Sequence, residues 1–188
     1  IMSLLELVND NKTDKNTVHS YLPLYQKLLE SRKETAKNVL EVGMLNGGSI
    51  KLWNDFFVNA TIHGVDVISE QDLWDEIKSK ENIILHTEQD AYVGKFVENV
   101  FEKKGVKFDF ILDDGPHTLE SMKQFIHLYS KVLTDDGILI VEDVQDPNWF
   151  NILYEETPNH LKQYISTYDL RGNKNRYDDL VFVINKNF

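Results

Sequence analysis

Phe108-Asp109-Phe110-Ile111-Leu112-Asp113-Asp114-Gly115-Pro116-His117 decides how the rest of the chain is read. An apolar run of strand length ends in two aspartates, a Gly-Pro turn and a histidine. Ile138-Leu139-Ile140-Val141-Glu142-Asp143 repeats the theme, again delivering carboxylates at a strand's carboxyl end. Between the two, Leu119, Met122, Ile126, Tyr129 and Leu133 recur at helical spacing, with Thr118 placed to cap the helix and Glu120 in its first turn. Strand, helix and strand in that order predict two parallel strands side by side, their acidic tips on one edge of a sheet.

The pattern extends in both directions. Asn38 to Val42 is a short strand followed by Gly43-Met44-Leu45-Asn46-Gly47-Gly48 and a helix with Ser49 near its start and Ile50, Trp53 and Phe57 on one face. Thr61 to Val67 reads as a second strand with Asp66 at its end, and Leu73, Trp74 and Ile77 mark a short helix. Asn82 to Thr87 reads as a third strand, trailed by Gln89-Asp90 and an amphipathic helix carrying Val93, Phe96, Val97, Val100 and Phe101. Asp135-Asp136-Gly137 is expected to be a turn before the strand Ile138 to Val141, and Asn148 to Leu161 a helix that Pro158 breaks. Gln163 to Leu170 and Leu180 to Asn185 are strands with no helix between them, which predicts an antiparallel hairpin at one edge.

At the other end, Met2 to Val8 is a short helix or arm and Asn9 to Asn16 a polar turn. Val18, Tyr21, Leu22, Tyr25, Leu28 and Leu29 then form a stripe on a helix that starts near Ser20 to Leu22, with Pro23 in its first turn, and ends near Ser31. The predicted fold is α/β and Rossmann-like: a mostly parallel seven-stranded sheet with an antiparallel edge hairpin and helices on both faces. It forms one domain over residues 1–188, with a helical arm at 1–35 and a core at 36–188. The opening Ile1-Met2 reads either as an added cloning remnant or as the edge of a domain cut from a longer polypeptide.

Composition excludes several function classes. The 188 residues carry no cysteine, which rules out disulfides, zinc-thiolate sites and cysteine nucleophiles. With 41% hydrophobic and 11% aromatic residues, a packed core is expected rather than disorder. A net charge of −11 repels phosphate backbones and argues against a nucleic-acid partner. No apolar run approaches the roughly 20 residues that cross a bilayer, so no membrane partner is expected, and the composition is compatible with the cytoplasm.

In open α/β sheets, ligands bind beyond the carboxyl ends of the strands. Glycines at 43, 47 and 48 let the backbone approach a ligand and expose helix N–H groups. Asp66 can accept hydrogen bonds from both hydroxyls of a ribose, and Asp90 either meets an adenine amine or caps a helix. The Gly-x-x-x-Gly-Gly spacing departs from the Gly-x-Gly-x-x-Gly of dinucleotide sites. Both NAD and S-adenosylmethionine suit such a crevice. The edge hairpin after the fifth strand favours S-adenosylmethionine, as does Glu41, a carboxylate able to orient the loop and attract a cationic cofactor.

Asp114, Glu142 and Asp143 should converge at adjacent strand tips, where their charges repel unless a cation joins them. Hard oxygen donors suit Mg2+, with Mn2+ or Ca2+ as substitutes. Asp113 is a fourth candidate whose side chain points away from that of Asp114 if the pleat persists. His117 can take the proton of a metal-associated alcohol, or serve only as a turn residue. His19, His63, His86, His127 and His160 lack such company and read as structural or surface residues. The loop bearing Arg171, Lys174, Arg176, Tyr177, Asp178 and Asp179 should emerge on the same edge, where it is either a solvated turn or a hold for an anionic or polyhydroxyl substrate.

Val39-Leu40-Glu41-Val42-Gly43 with Gly47-Gly48-Ser49 and Leu52-Trp53 resembles the first motif of the metal-dependent sugar O-methyltransferases of macrolide biosynthesis, the macrocin and mycinamicin group with its cephalosporin hydroxylase-like relatives. Ile111 to His117 resembles their metal and base segment, in which serine is commoner than Pro116, and Val141-Glu142-Asp143 their second metal segment. Asp14-Lys15 with His19-Ser20-Tyr21 is similar to their N-terminal signature. The resemblance runs from about Asp14 to Lys186 and implies a class I methyltransferase that moves a methyl group from S-adenosylmethionine to a sugar hydroxyl of a small-molecule or glycan acceptor. It implies Asp114, Glu142 and Asp143 as Mg2+ ligands and His117, with Asp114, as the catalytic residues. Cofactor contacts are expected from Glu41, Gly43, Gly47, Gly48, Ser49, Asp66, Asp90, Asp113 and Tyr21. The alternatives are a catechol-like or polyketide hydroxyl as acceptor, or a non-catalytic cofactor-binding domain. A homo-oligomer is compatible with each.

Overall fold

The computed structural model describes residues 2–187, so Ile1, the residue that hinted at an excised domain, lies outside the described residues, as does Phe188. Seven strands, β1 (Asn38–Val42), β2 (Thr61–Val65), β3 (Ile83–His86), β4 (Phe108–Asp113), β5 (Leu133–Val141), β6 (Ile165–Asp169) and β7 (Leu180–Asn185), form one sheet. Its order is β3-β2-β1-β4-β5-β7-β6. The first five strands run parallel, and β7 pairs antiparallel with both β5 and β6, giving the expected edge hairpin.

Pleating sorts the strand residues onto two cores. Val39, Phe110, Leu112, Ile138 and Ile140 face one side, against α1 (Leu4–Leu7), α2 (Leu22–Leu29), α3 (Gly48–Phe56) and α4 (Asp75–Lys78). Leu40, Val42, Ile111, Leu139 and Val141 face the other, against α5 (Gly94–Val97), α6 (Leu119–Tyr129) and α7 (Trp149–Glu156). Pro23 sits in the first turn of α2, as its fixed φ and missing N–H allow. Thr118 caps α6 by accepting from the Ser121 amide, and Ser121 completes the reciprocal box. Pro158 ends α7, and a 3₁₀ segment, Asn159–Tyr164, carries the chain on.

Several boundaries differ from those expected. β2 stops at Val65, so Asp66 falls in the turn beyond it, and β3 is trimmed to Ile83–His86. The amphipathic helix after β3 splits into α5 and a π-helical turn, Glu98–Glu102, with Phe101 fully buried. Residues 135–137 do not interrupt β5. Leu133 pairs with Phe108 and Ile138 with Phe110, so the intervening residues bulge within a continuous strand, with Asp135 and Asp136 exposed and Gly137 buried. His63 and His86 stack in the core with ring nitrogens 3.1 Å apart, and burial pulls the His63 pKa down to about 4. His127 and His160 are exposed. These four are the structural or surface histidines expected.

Candidate active site

β1 to β5 end on one edge, and a cavity of about 690 Å³ opens across their tips. Gly43 of β1's tip, Asp66 of β2's, Asp90 after β3, Asp114 and His117 after β4, and Asp143 after β5 all line it. Gly43 has φ +86°, and a Cβ there would lie 2.1 Å from the Asp114 carbonyl oxygen, so the two tips touch only because this residue is glycine. Asp66 accepts from the Met44 and Leu45 amides at 2.7 and 3.3 Å and fixes the loop after β1. Asp90 accepts from the Tyr92 amide at 2.9 Å while still facing the cavity. The described rim also carries exposed apolar side chains, Leu45 and Val67.

The acidic end is more strained. His117 and Asp143 both adopt left-handed backbone conformations, at φ +60° and +57°. For residues with a side chain this is uncommon, and it concentrates where surrounding structure over-determines a functional geometry. His117 Nε2 lies 3.0 Å from Asp143 Oδ2 and 3.6 Å from Asp114 Oδ1. These three side chains place ligating atoms within 4.8 Å of one another. His19, Asp143 and Asp178 do the same, but His19 Nδ1 is already held by Asp179 Oδ1 at 2.5 Å.

Seven expected site residues do not line the cavity. Glu41 and Glu142 share strand parity with Val39 and Ile140 and therefore point under the site, toward α2 and α3. There Glu41 accepts from Ser49 Oγ and Trp53 Nε1, and Glu142 from Tyr25 OH at 2.8 Å. Ser49 is thereby spent on Glu41. Gly47 packs toward Ile77, and Gly48 against the carbonyl of Lys12 in the arm. Tyr21 is fully buried, with its hydroxyl on Asp143 Oδ1. Asp113, on the opposite face, accepts from Tyr92 OH at 2.6 Å and the Gly115 amide at 3.2 Å. These residues shape the site from behind.

Sequence reasoning passed over the group that ties the acidic cluster together. Lys15, in a segment read as a polar turn, is fully buried, with Nζ 2.8 Å from Asp114 Oδ2, 3.0 Å from Glu142 Oε2 and 3.6 Å from Glu41 Oε2. Burial alone would lower its pKa, but these three carboxylates hold it well above the usual lysine value. The loop between β6 and β7 emerges on the site's edge as expected, yet it mostly locks the arm. Asp179 accepts from the Ser20 amide and hydroxyl, and Lys174, at the end of the one-turn helix α8 (Arg171–Lys174), donates to the carbonyls of Asn16, Thr17 and His19. His19 is thus part of the site's framework. The only earlier sign of Lys15 and His19 was the N-terminal signature.

One ammonium does not balance the carboxylates around it. Burial, reinforced by the charge of Asp114, raises the pKa of Glu142 and Asp143, and burial lifts Glu41 to about 7 despite Lys15. Excess negative charge, an oxygen donor each on part-exposed Asp114 and buried Asp143, and a neighbouring imidazole make a donor set that fits a hard divalent cation.

A seven-stranded sheet with its last strand antiparallel, a glycine turn after β1 and an acid after β2 define the class I methyltransferase fold. No family profile matches the chain. It is similar to mycinamicin VI 2''-O-methyltransferase of Micromonospora griseorubida, 26% identical over 140 residues that make up 70% of this chain and 33% of that protein. It is also similar to demethylmacrocin O-methyltransferase of Streptomyces fradiae, 25% identical over 154 residues, 78% of this chain and 37% of that protein. The solved structure of the methyltransferase MycE from the mycinamycin biosynthetic pathway, in complex with Mg, SAH and mycinamycin VI, superposes with a TM-score of 0.76 at 18% identity, over 98% of this chain and 54% of that one. The chain thus spans about a third of the length of the curated relatives it matches. Among the described residues, no helix is long and apolar enough to cross a membrane.

Proposed function

We propose that this chain is the catalytic unit of an S-adenosylmethionine-dependent O-methyltransferase that acts on a sugar hydroxyl of a small glycoside with a divalent cation, Mg2+ by preference. The observation that carries the proposal is the placement of His117 Nε2, 3.0 Å from Asp143 Oδ2 and 3.6 Å from Asp114 Oδ1, in the same cavity as the Gly43 turn and Asp66. The sugar O-methyltransferases to which the chain is similar support the acceptor class.

Bound S-adenosylmethionine would supply the methyl group as a sulfonium, and a Mg2+ ion would lower the pKa of the acceptor hydroxyl. Asp114 Oδ1 and Asp143 Oδ2 would hold the cation. Glu142, expected as a third ligand, faces Lys15 and Tyr25 instead. His117 would take the hydroxyl proton at Nε2 while the acceptor oxygen receives the methyl group, the sulfonium leaving as a neutral thioether. The imidazolium so formed lies beside two carboxylates that stabilise it. Gly43, Asp66 and Asp90 position the donor from the neighbouring strand tips, and this orientation supplies much of the rate.

The test is S-adenosylhomocysteine release with Mg2+ and a panel of deoxysugar glycosides, with catechol as comparison. Release with a glycoside, abolished by a chelator, supports the proposal. Turnover on catechol alone would reassign the acceptor, and cofactor binding without turnover on either would leave a binding domain. Asp66→Ala should weaken S-adenosylhomocysteine binding about 10- to 100-fold, because it removes a charged acceptor from both the loop amides and the cavity wall. Calorimetry reads this directly, and an unchanged affinity would remove Asp66 from the cofactor site.

A further inference from the structure

The acidic end of the cavity has an inner and an outer set of oxygens, and a single side chain separates them. Asp114 Oδ2 and Glu142 Oε2 turn inward to Lys15 Nζ, with Glu41 Oε2 just beyond. Asp143 Oδ1 is likewise occupied, by Tyr21 OH. Asp114 Oδ1 and Asp143 Oδ2 turn outward, toward His117. We propose that Lys15 is the resident counter-ion of the inner set, and that by holding those oxygens it sets both the position and the strength with which the outer set grips a divalent cation. The proposal rests on the cation reading of the site.

A lysine with no exposed surface is costly to bury unless its charge is met. Here the arm delivers it deliberately. Tyr21 and His19 donate backbone hydrogen bonds to Lys15 and Asp14, while Asp179 and Lys174 hold the arm from the opposite side. Glu142 and Glu41 are each further committed to protein donors, through Tyr25, Ser49 and Trp53. Without Lys15, the inner oxygens of Asp114 and Glu142 would face each other unneutralised, and a divalent ion would be drawn inward to them. With Lys15 in place, the ion is repelled from the inner position and kept beside His117, where a substrate oxygen can reach it. Lys15 touches neither substrate nor reacting atoms in this scheme, so it is a positioning residue.

The experiment is Mn2+ binding by calorimetry to the full chain, without cofactor or acceptor. Lys15→Met, which keeps the length of the side chain and removes its charge, should bind Mn2+ at least about 10-fold more tightly than the parent, because a like charge next to the ion is gone. An equal or weaker affinity would overturn the proposal, since a merely structural lysine leaves cation affinity unchanged or lowers it. Should that variant fail to fold, Lys15→Met combined with Glu142→Gln keeps the inner charge balanced. It is compared with Glu142→Gln alone, and the same tightening is expected. Mn2+ binding by Lys15→Met but not by the parent would overturn the metal-assisted function and the proposal with it, since the outer set of the parent then grips no ion. Binding by none of the variants would overturn both.

Discussion

His117→Ala is expected to lower turnover by about 10²- to 10⁴-fold while leaving S-adenosylhomocysteine affinity nearly unchanged. The residue sits on the turn beyond β4 with its side chain part-exposed, and its partners Asp114 and Asp143 are both at the acidic end. The groups assigned to the cofactor, Gly43, Asp66 and Asp90, come from the tips of other strands, so removing the imidazole leaves them in place. A backbone cause must be separated from a chemical one, because φ at this position is +60°. Asparagine tolerates that conformation better than alanine and has no basic nitrogen. His117→Asn should therefore fall as far as His117→Ala in single-turnover rate. Loss of both turnover and cofactor binding in the two variants would sink the assigned role.

The second large effect concerns stability and lies at the opposite edge of the sheet. Asp109, near the start of β4, is buried, and its Oδ1 receives Arg32 at 2.5 Å. Its Oδ2 accepts from the Lys37 and Asn38 amides at 2.7 and 3.1 Å, fixing the entry to β1. Asp109→Ala leaves a buried guanidinium with only the exposed Asp136 carboxylate, 3.0 Å from Nη1, as its counter-charge, and two amides without an acceptor. The expected cost is about 3–5 kcal/mol, a large part of the roughly 5–15 kcal/mol available to a typical domain. Urea unfolding should show it as a lowered midpoint at constant slope. Replacing the pair together, as Arg32→Met with Asp109→Leu, should recover the part of the loss that comes from the poorly compensated charge, while the Lys37 and Asn38 amides stay without their acceptor. If the double variant is as unstable as Asp109→Ala alone, the lost amide acceptor or packing, rather than charge, is responsible.

Much of this architecture was legible because it depends on local pattern. β1 begins and ends where its apolar run does, and the Pro23 and Thr118 helix starts follow from backbone chemistry alone. Gly43, Asp66, Asp90, Asp114, His117 and Asp143 were found because carboxyl ends of parallel strands converge, whatever the details. What misled was side-chain direction. Adjacent strand residues face opposite ways, so Glu142 and Asp143 cannot both look into one cavity in regular strand geometry, and Glu41 follows Val39 to the buried face. The 135–137 segment has turn composition, but pairing of Leu133 with Phe108 carries the strand through it. Lys15 had no local signal, since its meaning lies wholly in residues 99 and 127 positions away.

That separation has a consequence for the order in which the molecule becomes competent. Lys15 reaches Glu142 across 127 residues and Ser20 reaches Asp179 across 159, so segments far apart in the sequence must be in place before the acidic cluster is neutralised. Contacts of such long sequence separation form late, because the chain between them must first be ordered. A nascent chain emerging amino end first therefore holds its arm in waiting until β7 is made. The acidic cluster is therefore completed only after β7 is made, and it is undone when the arm lets go.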